Sequence, residues 1–173
     1  MRSFLYAALV LLISSCGNKL YIVRHAEKAK PIAGMSVIDA NDPPLTDSGN
    51  LRALALKTRL QSENIKHIFS TNFKRTLNTA KPLDEQLLNV QTELYSPKKD
   101  STDAFIEKLK AIKKGNVLVV GHSNTIDDLA NKLAGSIVVA SDLPETDYDN
   151  IFILKRKGKK YKFSRETYGA PTQ

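Results

Sequence analysis

Cysteine is almost missing from this chain: Cys16 is the only one in 173 residues. One thiol cannot close a disulfide within the chain, so the fold must rest on its core alone. Internal repeats and long low-complexity tracts are also missing, which argues against disorder and against a repeat array. Histidine is scarce, with three residues: His25, His67 and His122. No cluster of Cys, His, Asp or Glu has metal-ligand spacing, so neither a metal nor another cofactor is expected. The chain also lacks an apolar run of membrane-spanning length. Its longest, Phe4 through Ile13, suits an export signal better than a span.

What is present is ordinary for one globular domain: 42% hydrophobic and 25% charged residues over a length that buries a proper core. The start differs. Arg2 precedes the apolar run, and Ile13-Ser14-Ser15-Cys16 places two small residues before the lone cysteine. That pattern looks like a bacterial lipobox. We expect residues 1–15 to be a signal peptide of lipoprotein type, Cys16 to carry the lipid, and residues 16–173 to form a single domain. The expected location is outside the cytoplasm, anchored in a bacterial membrane and facing the periplasm or the cell exterior.

The formal charge is +8, and much of the excess lies between Lys155 and Lys162. Such a charge suits nucleic acid, an anionic substrate or a membrane surface. We read no nucleic-acid partner. The basic run reads as a solvated hairpin turn, with contact to anionic headgroups as the other reading.

Apolar runs at Leu20–Val23, Ile65–Ser70, Val90–Tyr95 and Asn116–Val120 alternate with helical patterns. The helices are expected from Thr46, a plausible N-cap, to Gln61, from about Asn72, over Asp100–Lys113, and over Ser123–Leu133. Two later runs, Tyr148–Lys155 and Lys160–Arg165, flank Lys157-Gly158 as an antiparallel hairpin. The fold class is therefore α/β: a three-layer sandwich with a mostly parallel central sheet, helices on both faces and a C-terminal antiparallel hairpin.

In such sheets ligands bind beyond the carboxyl ends of the strands. Arg24 and His25, Arg75, and His122 all fall there. Arginine grips phosphate oxygens with a planar, permanently charged fork. A neutral histidine can attack phosphorus, and the two guanidinium groups are expected to keep His25 neutral. Arg24, Arg75 and His122 would hold the equatorial oxygens while His25 takes the phosphoryl group; water then releases it. His67, inside a strand, reads as structural.

These residues resemble the histidine phosphatase superfamily, also called phosphoglycerate-mutase-like. Arg24-His25-Ala26-Glu27 is similar to its Arg-His-Gly-Glu motif. Pro44-Leu45-Thr46 with Gly49 and Ala53 resembles its Leu-Thr-x-x-Gly-x-x-x-Ala segment. Ser70 through Arg75 to Thr79-Ala80, Val120-Gly121-His122-Ser123 and Tyr148-Asp149-Asn150 are similar in turn. The likeness runs from Leu20 to about Leu154 and is strongest to the small, phosphohistidine-phosphatase-like branch. It implies a metal-independent phosphatase that hydrolyses phosphomonoesters or phosphoramidates through a phosphohistidine on His25. The partner would be a phosphorylated small molecule or phosphoprotein.

Two departures argue against a mutase: Pro31 stands where mutases have asparagine, and Ser96 where many relatives have a glutamate acid. Asp100, Asp103 and Glu27 are the remaining candidates for that acid. The other reading of the chain is a degenerate, non-catalytic lipoprotein that binds phosphorylated ligands. Substrate identity and oligomeric state are not legible.

Overall fold

The computed structural model describes residues 17–30 and 41–172. The expected signal peptide, Cys16 and Pro31 lie outside the described residues. Six strands form one sheet in the order β3-β2-β4-β1-β5-β6. They are β1 Lys19–Arg24, β2 Ile65–Ser70, β3 Thr92–Leu94, β4 Asn116–Gly121, β5 Asn150–Lys157 and β6 Lys160–Thr167. The first four are mutually parallel, and β5 and β6 complete the sheet as an antiparallel hairpin.

The central strands are apolar without alternation because both faces are covered. Leu20, Ile22, Val117, Val119, Phe152 and Leu154 pack into one core. Tyr21, Val23, Leu118, Val120, Ile151 and Ile153 pack into the other. Helices α1 Asp47–Leu60 and α2 Lys74–Asp84 supply Leu56, Leu60, Ala80 and Leu83 to the second core. Helices α3 Thr102–Ala111 and α4 Ser123–Ala134 supply Phe105, Ile106, Leu109, Ile126 and Leu129 to the first.

The sequence bounds differ at a few ends. Helix α2 starts at Lys74, with Phe73 as its N-cap, because Phe73 is still extended. A short 3₁₀ turn, Lys99–Ser101, precedes α3, and α3 stops at Ala111 because Ile112 is already extended. Strand β3 is three residues long. Helix α4 ends at Gly135, whose φ of 73° is the left-handed conformation of a C-cap glycine.

The first loop after β1 is pinned before it reaches the site. Thr46 caps α1 by accepting from the Gly49 amide at 3.1 Å, and its own amide donates to the Glu27 carbonyl at 2.9 Å. A Cβ on Gly49 would lie 2.3 Å from that carbonyl oxygen, so glycine lets α1 seat directly on the loop. Arg52 holds the Glu27 carboxylate through Nε and Nη2 at 2.7–3.0 Å, and its Nη1 donates to the Tyr168 carbonyl at 3.0 Å. The Leu45–Ala53 segment thus fixes the backbone that follows His25.

Candidate active site

The carboxyl ends of β1, β2 and β4 converge on one cavity of about 520 Å³ lined by Arg24, His25, Arg75 and His122. Sequence reasoning chose these four, and the fold brings all four together. The adjacent parallel strands β1 and β4 set Arg24 opposite Gly121, and the His25 amide donates to the Gly121 carbonyl at 2.9 Å. That register places the two histidine rings 5.5 Å apart, edge to face. Gly121 has no room for a side chain: a Cβ would lie 2.7 Å from the Tyr95 hydroxyl and 2.9 Å from Ile126.

His25 is almost fully buried, at 3% exposure. Its Nδ1 lies 2.8 Å from the Ala26 carbonyl. A carbonyl only accepts, so Nδ1 carries the proton and Nε2 keeps its lone pair. Burial lowers the ring's pKa to about 3, with further lowering from Arg24, His122 and Arg75. The sequence alone points to the two arginines as the cause. Loss of solvent is the larger cause, with the guanidinium charges adding to it.

His122 is the N-cap residue of α4. Its Nε2 lies 2.9 Å from the Thr71 hydroxyl, and burial with Arg75, Arg24 and Lys28 lowers its pKa to about 4. Its amide donates to the Thr125 hydroxyl at 3.0 Å. Phe73 stands edge to face with the His122 ring at 5.2 Å and lies under the Arg75 guanidinium at 4.4 Å. One aromatic ring thereby spaces the Arg75 guanidinium from the His122 ring.

Arg24 is buried, at 1% exposure. Its Nη1 donates to the Pro144 carbonyl at 2.6 Å and the Asp147 carbonyl at 3.2 Å, and its guanidinium stacks 4.2 Å from the Tyr148 ring. Its Nη2 lies 3.2 Å from Glu145. Arg75 is 3.7 Å from Asp42. Among the described residues, the Nε donors of both arginines are buried without a hydrogen-bond partner. Buried unmet donors are rare and call for a ligand or another cause. Thr79 ties the two halves of the site together: its hydroxyl accepts from the Ala26 amide at 2.9 Å and donates to the Arg75 carbonyl at 2.7 Å.

The acids that sequence reasoning considered stand outside the cavity. Glu27 is held by Arg52. Asp103 pairs with Lys132 at 2.6 Å, on the outer side of α3, and Asp100 accepts from Ser101. Ser96 accepts from the Lys98 amide, and its neighbour Pro97 is the residue that reaches the cavity wall. His67 lies in β2 and does not line the cavity.

The sequence names the loop from Lys28 as a wall but not Phe73, Asn124, Thr125, Asp142 or Glu145, which also line the cavity. Glu145 bridges Arg24 and Lys28, at 3.2 and 3.5 Å. Asp142 and Glu145 lie between α4 and β5, in a segment with no periodicity to read. The available signal was the antiparallel strand β5: pairing Val23 with Ile151 brings the residues before Asn150 beside the end of β1.

Comparison with known proteins adds an independent line. The sequence profile described as the histidine phosphatase superfamily (branch 1) matches residues 20–96, the stretch that contains Arg24, His25 and Arg75. Residues 20–96 therefore carry the sequence signature of that superfamily. A curated relative from Photorhabdus laumondii, named a probable phosphoglycerate mutase, GpmB, is 38% identical over 66 residues. That match spans 36% of this chain and 28% of the relative, so it covers well under half of the curated protein's length.

Solved structures of similar fold match over nearly their whole length. A protein from Agrobacterium tumefaciens, provisionally named phosphohistidine phosphatase SixA, superimposes with a TM-score of 0.63 at 16% identity, covering 89% of this chain and 98% of its own. The alpha-ribazole phosphatase from Shigella flexneri gives 0.63 at 16% identity, covering 88% and 96%. At that identity the likeness shows the fold.

Proposed function

We propose that this chain is a phosphohydrolase of the histidine phosphatase superfamily that works through a phosphohistidine on His25. The observation that carries the reading is the His25 ring itself: neutral, with Nδ1 committed to the Ala26 carbonyl and Nε2 facing two arginines and His122 across one cavity. The Nε2 lone pair forms a bond to phosphorus as the bond to the leaving group breaks. Arg24, Arg75 and His122 carry the charge on the three equatorial oxygens, in place before the reaction begins. Water then attacks the phosphohistidine, the N–P bond breaks with its electrons returning to Nε2, inorganic phosphate leaves with the hydroxyl of that water, and the water's other proton passes to solvent.

Substrates with good leaving groups fit this site best. Asp142 and Glu145 are the carboxyl groups on the cavity wall, and Glu145 is engaged by Arg24 and Lys28. Those contacts hold Glu145 toward Arg24 and Lys28 rather than toward a departing alkoxide. Phosphoramidates, acyl phosphates and aryl phosphates leave without that help. The small SixA-like fold supports the same choice. A panel of nitrogen-linked, acyl, aryl and alkyl phosphates, assayed with the native chain and His25→Ala, tests the proposal. Activated members turn over with the native chain, and His25→Ala loses about a thousandfold or more. Turnover retained by His25→Ala refutes the mechanism, and phosphate binding without any turnover returns the chain to the non-catalytic reading.

We further propose that the enzyme is exported and anchored through lipid on Cys16, on the strength of the Arg2-to-Cys16 pattern. The intact mass of the protein from the membrane fraction checks this. An N-terminus at Cys16 carrying acyl chains, abolished by Cys16→Ala, is the expected result; an unprocessed Met1 contradicts it.

A further inference from the structure

The end of the sheet opposite the catalytic cavity carries a second organised surface. The N-terminal end of β1, the approach to β4 and the β5–β6 turn meet there. Three surface depressions at this end all reach Lys113; Gly17 lines two of them, Arg156 lines two, and Lys114, Lys155, Lys157 and Lys159 rim them. Gly17 is packed against the Arg156 backbone, and the Arg156 amide donates to the Asn18 carbonyl at 2.9 Å. The first described residue of the chain therefore sits inside the basic surface.

The charge is largely uncompensated. Glu63 and Glu107 are the carboxylates in these depressions, and they pair with Lys19 and Lys110. Arg156 is spent on the Lys110, Ile112 and Gly158 carbonyls, and the Lys113 ammonium on the Lys110 carbonyl. Lys114, Lys155, Lys157 and Lys159 are exposed and have no carboxylate within 4.0 Å among the described residues.

We infer that this basic end docks the domain onto an anionic lipid surface and aims the catalytic cavity away from it. Exposed lysines without a free arginine fork supply diffuse charge, which suits a plane of anionic headgroups. Nucleic acid would also want aromatic platforms, and the aromatics here, Tyr161 and Phe163, pack into the core instead. The same end of the molecule continues directly into Cys16 and the apolar run of residues 4–13, which places any lipid attachment on the docking side.

Strand β1 leads from Lys19 at this surface to Arg24 at the cavity, a rise of roughly 17 Å. Headgroup phosphates of the docked bilayer lie at the wrong end for His25. The enzyme would therefore act on soluble or protein-borne phosphates while resting on a surface full of phosphodiesters.

The test is co-sedimentation of the full chain with phosphatidylcholine vesicles and with vesicles holding roughly 30% phosphatidylglycerol, the charge that surface-potential attraction requires. Whatever precedes Gly17 is the same in the native chain and in the triple lysine variant below, so the difference between those two chains on anionic vesicles reads the basic surface. The expected preference for anionic vesicles is tenfold or more at ~0.1 M salt, vanishing near 1 M salt. The triple variant Lys114→Gln, Lys155→Gln, Lys157→Gln loses that preference while keeping the native melting temperature and aryl-phosphate turnover. Turnover of a soluble substrate persists on the vesicles, because the cavity faces water.

His25→Ala binds vesicles as the native chain does, which separates this inference from the proposed chemistry. Equal partitioning on both vesicle types, an unchanged preference in the triple variant, turnover quenched by docking, or tighter binding to an oligonucleotide than to anionic vesicles would each overturn it.

Discussion

At the scale of single residues, the site is a set of cations waiting for an anion, and one carboxylate already occupies part of it. Glu145 reaches Arg24 and Lys28 from a side chain that is 71% exposed. An incoming phosphate must displace it, exchanging one anion for another on the same guanidinium. Glu145→Gln removes that competitor at little structural cost. Inorganic phosphate should then inhibit about three- to tenfold more tightly, the range expected for an exposed pair whose partner arginine is buried. Unchanged or weaker phosphate inhibition would contradict the role. None of this was legible in the sequence, because Glu145 sits in an aperiodic segment far along the chain from Arg24. The four core site residues were legible for the opposite reason: each ends or follows an apolar strand of a parallel sheet, and topology alone fixes where those ends go.

At the scale of elements, the Leu45–Ala53 segment shows how a motif can shape the candidate site without lining its cavity. Thr46, Gly49 and Arg52 hold Glu27, and with Thr79 they fix the backbone on which His25 presents its ring. Gly49→Ala sets two effects against each other. Alanine favours a helix by about 1 kcal/mol over glycine. A Cβ 2.3 Å from a backbone oxygen forces α1 off the loop at a cost of about 1–3 kcal/mol. The clash should win, with a lower urea midpoint and lower turnover together; a stabilised and fully active variant would show that α1 does not seat on this loop.

Helix α3 gives the matching lesson about acids. Asp100 and Asp103 follow β3 closely in sequence, which made them candidates. The 3₁₀ turn before α3 and the apolar face of Phe105, Ile106 and Leu109 turn Asp103 outward to Lys132 instead. Helical phase was readable; the direction of the entering turn was not.

At the scale of the whole molecule, the fold class was legible because strand and helix periods alternate cleanly and the last two strands flank Lys157-Gly158. The cause of histidine neutrality was not, since burial of a polar ring is a product of packing that no local pattern announces. That burial has a consequence for stability. Unfolded histidines take up a proton near pH 6.5, whereas folded His122 and His25 do so only near 4 and 3. The unfolded chain therefore binds more protons across this window, and stability falls as pH drops below about 6.5. The lowered carboxylate Glu63, with an ordinary value of 4.5, costs stability only below that value. Between pH 6.5 and 4.5 the loss belongs to the histidines, at up to roughly 1.4 kcal/mol per pH unit for each. Urea denaturation of the native chain should show this slope, and the double variant His25→Gln, His122→Gln should flatten it; equal slopes would contradict neutral, buried rings.

The measurement that reaches furthest into the account is direct capture of the phosphorylated enzyme. The native chain is mixed with an activated, radiolabelled phosphate donor, quenched in alkali within milliseconds and digested for mass analysis. The expected adduct is a phosphoryl group on His25, stable to alkali and lost in acid, attached at Nε2 and missing from His25→Ala. Label found on another residue, or steady turnover with no phosphorylated enzyme at any time, would contradict a nucleophilic His25.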